Sequence, residues 1–280
     1  MHFHKTQLSD TALSRRNFVG LVGASAALAA CSKAPPVADA GWKTFAQAGQ
    51  PFDHSAWDSF LGKYVRANVD GVNRVDYAGI VKDGKPALSA YLTALQAVKL
   101  TSLTKPEQFA FWVNLYNAAT LDTIVERYPV KSIREIGTLG QGPWKDNRLV
   151  VSGKDLSLDD IEHKILRPIW SDIRIHYAVN CASIGCPNLA TRAYTSERLE
   201  AMLDAAALAY VTHPRGFADD GGALVASSIF EWYGDDWGGV QGVLAHARQV
   251  GGAKAIPLLT TSTEISRYDY DWSLNDVASA

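Results

Sequence analysis

The chain has few cysteines and no excess of charge of either sign. Its 280 residues include three cysteines, too few for a scaffold held together by disulfides. The 27 basic and 29 acidic residues give a formal net charge of -2, which excludes a dedicated nucleic-acid binder because no basic surface is available for a phosphate backbone. Aromatic residues are plentiful, with eight Trp, eleven Tyr and nine Phe, and extended disorder is therefore also excluded.

The sequence also lacks a long uninterrupted apolar run. The small and apolar segment 19–30 is too short and too weakly hydrophobic to span a bilayer core of about 30 Å. Arg15 and Arg16 precede this segment, and the sequence Leu-Ala-Ala-Cys ends it at Cys31. This order resembles a twin-arginine export signal with a bacterial lipobox. We therefore expect residues 1–30 to be a twin-arginine/lipoprotein signal and Cys31 to become the lipidated N-terminus.

These features predict a location and a set of partners. The twin-arginine export machinery would deliver the protein to the periplasmic side of the bacterial cell envelope, where a lipid anchor at Cys31 would hold it to the membrane. Loss of residues 1–30 removes three basic residues and one acidic residue, which changes the formal net charge from -2 to -4. Residues 31–50 are rich in Ala and Pro and predict a flexible tether.

Residues 51–280 contain no second linker and no internal repeat, so they predict a single domain. Apolar periodicity predicts helices over residues 55–67, 87–97, 107–127, 157–168, 196–211 and 240–250. Short strands are predicted over residues 148–151, 174–180, 223–226 and 265–270. The helices outnumber the strands and do not alternate with them regularly, which predicts an α+β fold: a single mainly helical domain with a small sheet.

Two amides lie in the apolar helix over residues 107–127, which a Thr104–Glu107 capping box is predicted to begin. Asn114 and Asn117 are three residues apart and therefore share one face of this helix. A buried amide costs a few kcal/mol unless it is hydrogen-bonded. These side chains either hold the backbone of a neighbouring loop or bind substrate.

Two titratable residues, Glu162 and His163, are neighbours in the helix predicted from Ser157 to Pro168. Adjacent helical positions point about 100° apart, so one pocket takes both only if the helix lies along it. Each is either a solvated surface residue or part of a catalytic centre.

Residues 176–187 carry the densest concentration of chemically reactive groups. An extended segment with His176 and Asn180 is expected to lead into a loop of small residues that carries Cys181, Ser183 and Cys186. Loops at strand ends often present a nucleophile and an oxyanion hole to a cleft. Aligned amides and a nearby imidazole would stabilise a thiolate there.

These segments together resemble the bacterial and plant family known as domain of unknown function 547. The resemblance rests on five ordered blocks and extends from about Phe52 to Asn275; its residues are Ala110, Phe111, Trp112, Asn114, Tyr116 and Asn117; Ser157, Leu158, Ile161, Glu162, His163 and Arg167; His176, Asn180, Cys181, Ala182, Ser183, Cys186 and Pro187; Ser228, Phe230, Trp232 and Tyr233; and Tyr270, Asp271, Trp272, Leu274 and Asn275. The family has no settled activity, so the resemblance implies candidate positions and no reaction.

The leading hypothesis is a cysteine-dependent hydrolase or acyltransferase that acts on an amide or a thioester. Cys181 would be the nucleophile, either His176 or His163 the general base, and Glu162 or an Asn its orienting partner. The backbone amides of residues 182 and 183 would form the oxyanion hole. The substrate, a small molecule or a peptide, would be bound by four polar residues: Asn114, Asn117, Asn180 and Ser183. No cofactor is expected.

Alternatively, Cys181 and Cys186 form a disulfide, since with Cys31 lipidated they are the two remaining thiols in an oxidising compartment. The protein would then be a non-enzymatic ligand-binding or sensory lipoprotein, or a thiol redox module. His176 with the two thiols offers zinc ligands, but the spacing fits no common zinc signature, so no metal site is predicted.

Overall fold

The computed structural model describes residues 42–137 and 140–279. The predicted signal over residues 1–30, lipidation at Cys31 and the tether up to residue 41 lie outside the described residues. Residues 42–50 do not form a free tether. Trp42 is buried with its ring 5.4 Å from that of Trp112, and the amide of Ala46 donates to the carbonyl of Leu103 at 2.9 Å. The packed domain therefore includes Trp42, upstream of the boundary predicted at residue 51.

The fold is α+β and mainly helical, as predicted from the sequence. The α-helices are α1 (Ser55–Tyr64), α2 (Tyr77–Gly79), α3 (Lys85–Gln96), α4 (Lys105–Arg127), α5 (Arg167–Trp170), α6 (Ile175–Ala178), α7 (Leu199–Val211), α8 (Ile229–Trp232), α9 (Val240–Gly251) and α10 (Pro257–Thr261). Two π-helical segments cover Ile80–Gly84 and Asp160–Leu166. Short 3-10 helices cover Leu100–Ser102, Ile133–Glu135, Gly234–Trp237, Gly252–Lys254 and Val277–Ser279.

The strands of the described residues form three small sheets. They are β1 (Val65–Arg66), β2 (Arg74–Val75), β3 (Leu149–Val151), β4 (Lys154–Leu156), β5 (Phe217–Asp220), β6 (Ala223–Ser227) and β7 (Arg267–Asp269). β1 with β2 and β3 with β4 are antiparallel pairs. The third sheet has the order β5-β6-β7, with β5 antiparallel and β7 parallel to β6.

Helix α4 begins at the predicted capping box. The amide of Thr104 donates to Oε2 of Glu107 at 2.6 Å, which completes the predicted capping box and satisfies a free amide at the helix start. Nearly every side chain from Glu107 to Val125 is buried, so α4 passes through the centre of the core. The helices predicted over residues 87–97, 196–211 and 240–250 are confirmed as α3, α7 and α9, with small differences at their ends.

The helix that carries Glu162 and His163 differs from its prediction. It is π-helical from Asp160 to Leu166 and continues as α5 past Pro168, which was predicted to end it. Pro168 lies two residues after the π-helical segment, where the regular hydrogen bonding from residue i to residue i−4 is already interrupted, so its missing amide does not end the helix. π-helical segments within longer helices occur frequently at functional sites.

The strand predicted over residues 174–180 is wrong. Ile175–Ala178 is helix α6, and the chain becomes extended only at Val179. Asp172 explains the difference, because its Oδ1 accepts the amide of Arg174 at 2.9 Å and its carbonyl accepts that of Ile175 at 3.2 Å. These bonds close a turn that overrides the local strand pattern. His176 and Asn180 therefore do not share the face of a strand.

Helix α6 connects two hydrophobic clusters. Ile175 and Ala178 belong to the larger cluster, which is built around α1, α3 and α4. Tyr177 belongs to a smaller one around α7, α9 and the three-stranded sheet. The loop that follows α6 is therefore held from both sides. No helix within residues 42–137 and 140–279 is long and apolar enough to cross a membrane.

Candidate functional site

Cys181 opens into a cavity of about 440 Å³, which we name the Cys181 pocket. Its walls come from the loop 141–146, the π-helical segment 160–166, helix α6, the loop after α6, the end of α8 and residues 270–272. It is lined by Tyr116, Gln141, Gly142, Trp144, Lys145, Asp146, Asp159, Glu162, His163, His176, Val179, Cys181, Cys186, Pro187, Ile229, Trp232, Tyr233, Tyr270 and Trp272. The four residues expected to be catalytic from the sequence, Cys181, His176, His163 and Glu162, therefore line one pocket.

The Cys181 sulfur lies beside two hydroxyl groups. It is 3.0 Å from the Tyr270 hydroxyl and 3.1 Å from the Ser183 hydroxyl, and these two hydroxyls are 3.1 Å apart. Hydrogen bonds from Cys186, Ser183 and Tyr270 lower the pKa of the Cys181 thiol, against the opposing effect of burial. Burial raises the pKa of Tyr270, so this phenol keeps its proton and can donate to sulfur. The surroundings favour a thiolate at Cys181.

Cys186 behaves in the opposite way. Burial, together with the neighbouring Cys181, raises the pKa of the Cys186 thiol, so it remains protonated. The backbone amide of Cys181 donates to the Cys186 sulfur at 3.0 Å. Both cysteines are free, so the disulfide allowed by the sequence is not formed in this structure. The two thiols are neighbours that differ in proton affinity.

Asn180 holds both ends of the loop that carries the two thiols. Its Oδ1 accepts the amide of Ala182 at 2.9 Å, and its Nδ2 donates to the carbonyl of Pro187 at 2.7 Å. Ala182 has a φ of +61°, a conformation unfavourable for a residue with a Cβ and typical of functional turns. Its amide is already bonded, so the oxyanion hole predicted from it lacks this donor.

Other side chains hold the remaining carbonyls of the loop. Nη1 of Arg215 donates to the carbonyls of Ile184 and Cys186, each at 2.8 Å, and the Tyr210 hydroxyl donates to that of Gly185 at 2.6 Å. A Cβ at Gly185 would lie within 2.8 Å of a backbone nitrogen from the segment at residue 271, so only glycine fits. The loop is consequently rigid before any ligand binds.

His176 is paired with a residue that sequence reasoning missed. Its Nε2 lies 2.8 Å from Oδ2 of Asp236, and its ring stacks on Tyr233 at a centroid distance of 4.4 Å. Asp236 is also bound by Arg167 through two hydrogen bonds of 2.7 Å. Hydrogen bonds from His176 and then Arg167 lower the pKa of Asp236. A carboxylate only accepts, so Nε2 carries the proton, and Nδ1 has no hydrogen-bond partner.

The orienting partner expected from sequence, Glu162 or an Asn, is therefore replaced by Asp236 at the bonded nitrogen of His176. Sixty residues separate the two along the chain, and no local pattern links them. The sequence signal was a pair of acidic residues, 235 and 236, which a single glycine separates from the aromatic block that ends at Tyr233. Only the packing of the short helix Gly234–Trp237 brings the second of these carboxylates to the imidazole.

Glu162 and His163 occupy different positions in the pocket wall. The Glu162 side chain is buried, with its Oε1 4.0 Å from Nδ1 of His176. Nδ1 of His163 accepts from Nη1 of Arg167 at 3.0 Å, because a guanidinium can only donate, and its Nε2 is 3.8 Å from Oδ1 of Asp159. The lone pair of His163 is therefore in use, which leaves His176 as the better candidate base.

The two amides on α4 hold backbone and do not line the pocket. Asn114 accepts the amide of Tyr194 at 3.0 Å and donates to its carbonyl at 2.8 Å. Asn117 accepts the amide of Asn180 at 2.8 Å and donates to the carbonyl of Ala178 at 2.9 Å. The substrate-binding role expected for them from sequence is replaced by a structural one: Asn117 fixes the chain that leads into Cys181.

Asn180 and Ser183 were also expected to bind substrate, and both are buried in the loop itself. Asn180 closes the loop, and Ser183 faces the reactive sulfur. Within residues 42–137 and 140–279, no group of three or more His, Cys, Asp or Glu side chains is arranged to hold a metal ion.

Comparison with known families identifies a match to part of the chain. Residues 100–211 match the family model described as "Protein of unknown function, DUF547". This match supports the DUF547 family. The matched segment includes α4, the π-helical segment and the Cys181 loop, but not Asp236 or Tyr270. Comparisons with curated proteins and with solved structures gave no match.

Proposed function

We propose that this protein is a cysteine-dependent hydrolase or acyltransferase that acts on an amide or a thioester. One observation carries the proposal: the Cys181 sulfur opens into a preformed pocket, and its hydrogen-bond partners lower the pKa of its thiol. A thiolate is the reactive form of cysteine towards carbonyl carbon. His176, with its tautomer fixed by Asp236, lines the same pocket.

In the proposed reaction, the Cys181 thiolate attacks the carbonyl carbon of the substrate and forms a carbon–sulfur bond. The electron pair of the carbonyl moves onto oxygen, where the Tyr270 hydroxyl, 3.0 Å from the sulfur, donates a hydrogen bond. Collapse of this intermediate breaks the bond to the amine or thiol, which takes a proton from a water molecule. A second water, or an acceptor nucleophile, then attacks the acyl carbon and gives its proton to Nδ1 of His176; the carbon–sulfur bond breaks, the acyl group is released and the thiolate is restored.

The test is to trap the acyl intermediate. The full-length protein is incubated with p-nitrophenyl acetate and with an acyl thioester, quenched in acid and measured by mass spectrometry. The proposal predicts one added acyl group on Cys181, released on further incubation, and none on the Cys181→Ser variant. Cys186→Ser is the matched control and is expected to retain the adduct. An acyl group found equally on every exposed nucleophile, with no release, would contradict the proposal.

A second candidate is a thiol redox module, which the neighbouring Cys186 favours. The hydrogen bond from Cys186 to Cys181 and the opposite directions of their pKa shifts suit an attacking thiol and a resolving thiol. Oxidised glutathione would first form a mixed disulfide at Cys181; Cys186 would then displace glutathione and close an internal disulfide. Mass spectrometry after this treatment distinguishes the functions, because a hydrolase predicts the mixed disulfide to persist and a redox module predicts the loss of two hydrogens.

We further propose that the protein is a lipoprotein of the bacterial cell envelope, anchored at Cys31 on the periplasmic side after export by the twin-arginine machinery. The paired Arg15 and Arg16 and the residues before Cys31 support this proposal. Replacing both arginines by Lys is expected to abolish export, and Cys31→Ser to abolish labelling by radioactive palmitate. Membrane fractionation of these two variants beside the wild type tests both steps.

A further inference from the structure

Glu162 and His176 face each other across a gap in the pocket wall, and Tyr233 is hydrogen-bonded to the Glu162 side chain. Oε1 of Glu162 and Nδ1 of His176 are 4.0 Å apart, too far for a direct hydrogen bond. The His176 side chain is 2% exposed, and Nδ1 has no hydrogen-bond partner. A buried polar atom without a partner costs free energy and calls for an explanation.

Both atoms accept hydrogen bonds. Asp236 fixes a proton of His176 on Nε2, so in the neutral form of the ring Nδ1 presents a lone pair, and the Glu162 carboxylate presents only lone pairs. Two acceptors at this separation match two hydrogens of one ammonium group, whose N–H bonds diverge by about a tetrahedral angle. The pair is complementary to a substrate that carries an amino group.

The charge of the pocket also favours a substrate that carries an amino group. Its lining includes three carboxylates, Asp146, Asp159 and Glu162, and one ammonium group, Lys145. Field lines concentrate in a cleft with low-dielectric walls, so this excess of negative charge raises the local concentration of cations.

The aromatic wall of the pocket also suits a cation. Trp144, Trp232 and Trp272 line it, with ring centroids of Trp144 and Trp232 at 5.7 and 5.5 Å from that of Trp272. Trp232 is 46% exposed. The faces of indole rings attract cations, and the Arg134 guanidinium already lies 5.3 Å from the Trp272 ring.

We infer that the Cys181 pocket takes acyl substrates whose leaving part carries a protonated amino group, which binds between Glu162 and His176 and beside the tryptophans. When this part departs, Nδ1 of His176 is free to act as the base of the second step. This inference rests on the proposed acyl chemistry at Cys181 and names the class of substrate for it. Anionic acyl groups are disfavoured by the same carboxylates.

Charged thiol reagents test this preference without knowledge of the natural substrate. Aminoethyl and sulfonatoethyl methanethiosulfonate transfer a cationic or an anionic thioalkyl group to a thiolate: a disulfide bond forms, and methanesulfinate leaves. Their rates with Cys181 in the full-length protein are followed by peptide mass spectrometry and divided by their rates with glutathione. The inference predicts that the cationic reagent is favoured by about tenfold or more.

Two variants with the same change of charge locate the cause. Glu162→Gln removes the proposed ammonium ligand and is expected to remove most of the preference. Glu264→Gln is the matched control, because Glu264 is exposed and outside the pocket lining, and it is expected to keep the preference. Equal preference in the two variants, or no preference in the wild type, would overturn the inference.

A second measurement does not require a reactive thiol. Tryptophan fluorescence of the Cys181→Ala variant is titrated with n-butylammonium chloride and with n-butanol. The inference predicts that the ammonium binds at least several-fold more tightly, and binding no tighter than that of the alcohol overturns it. Failure of Cys181 to react with either methanethiosulfonate, while n-butylammonium still binds, would contradict the proposed acyl chemistry and leave cation recognition supported.

Discussion

Nε2 of His176 donates to Oδ2 of Asp236 at 2.8 Å, and Arg167 holds the same carboxylate through two bonds of 2.7 Å. The imidazole is further confined between the rings of Tyr233 and Trp237, at centroid distances of 4.4 and 5.0 Å. These contacts fix both the orientation and the tautomer of His176. A histidine with one nitrogen held by a carboxylate and the other unbonded is arranged as a general base.

Replacing Asp236 by Asn is expected to slow release of the acetyl group from Cys181 by about a hundredfold or more, because an amide no longer fixes the proton of His176 on Nε2 and Nδ1 no longer accepts a proton from the attacking water. The rate is measured with p-nitrophenyl acetate across pH, and its pH profile is expected to change shape as well as height. Asp235→Asn is the matched control, since Asp235 is adjacent and exposed. Equal rates for the two variants would remove His176 from the mechanism.

Replacing Tyr270 by Phe is expected to raise the pKa of Cys181 by about one unit, because the thiolate loses a hydrogen-bond donor at 3.0 Å. The pKa is read from the rate of iodoacetamide alkylation of Cys181 against pH. Tyr268→Phe serves as the control, since Tyr268 precedes Tyr270 by two residues and does not contact the sulfur. A midpoint unchanged in Tyr270→Phe would show that this hydroxyl does not stabilise the thiolate.

Replacing Asn180 by Ala is expected to lower the free energy of unfolding by about 2 to 3 kcal/mol, because the Ala182 amide and the Pro187 carbonyl lose their partner while buried. Urea denaturation measures this loss. The looser loop is also expected to slow alkylation of Cys181 at fixed pH. The exposed Asn147→Ala is the control and should change neither quantity by much; a similar loss in both variants would argue against a special role for Asn180.

Folding stability is expected to fall in mild acid because of His54. Burial lowers the pKa of His54 from 6.5 to about 4, and its neutral Nδ1 accepts from Tyr91 at 2.7 Å and from Asn114 at 3.3 Å. Between these values the unfolded chain binds more protons than the native one, so the stabilisation is complete above pH 6.5 and is lost as pH falls towards 4. The loss from this group is about 3 kcal/mol.

The His54→Gln variant isolates that contribution, because other carboxylates also titrate in acid. Its free energy of unfolding, measured by urea denaturation at several pH values, is expected to change less between pH 6.5 and 4 than that of the wild type. Parallel curves for the two proteins would mean that His54 is not held neutral in the native state.

Sequence patterns predicted those parts of the fold that local signals determine. The Thr104–Glu107 box marks the start of α4, and the apolar periodicity of α3, α7 and α9 located each helix. The segment at residues 174–180 was mistaken for a strand, since its alternation of side chains resembled one, whereas Asp172 closes a helical turn there. A single side-chain bond outweighed the pattern.

The candidate site also contains residues that the sequence revealed and residues that only the folded structure revealed. Cys181, His176, His163 and Glu162 lie close together in sequence, and the pocket brings all four to its walls. Asp236 and Tyr270 are 60 and 89 residues from their partners, so only tertiary packing reveals them. Asn114 and Asn117 were predicted to be buried and hydrogen-bonded, and they are. The sequence did not reveal whether their partners are backbone groups or a substrate, and in the structure they are backbone groups.

The pH dependence of Cys181 alkylation in the wild-type protein tests the central claim most directly. Iodoacetamide labelling is followed at Cys181 and Cys186 separately by peptide mass spectrometry. A midpoint for Cys181 below that of a free cysteine, about 8.5, with Cys186 unlabelled until higher pH, is the predicted result. A midpoint for Cys181 at or above this value would contradict a reactive thiolate in the pocket, and with it the proposed cysteine chemistry.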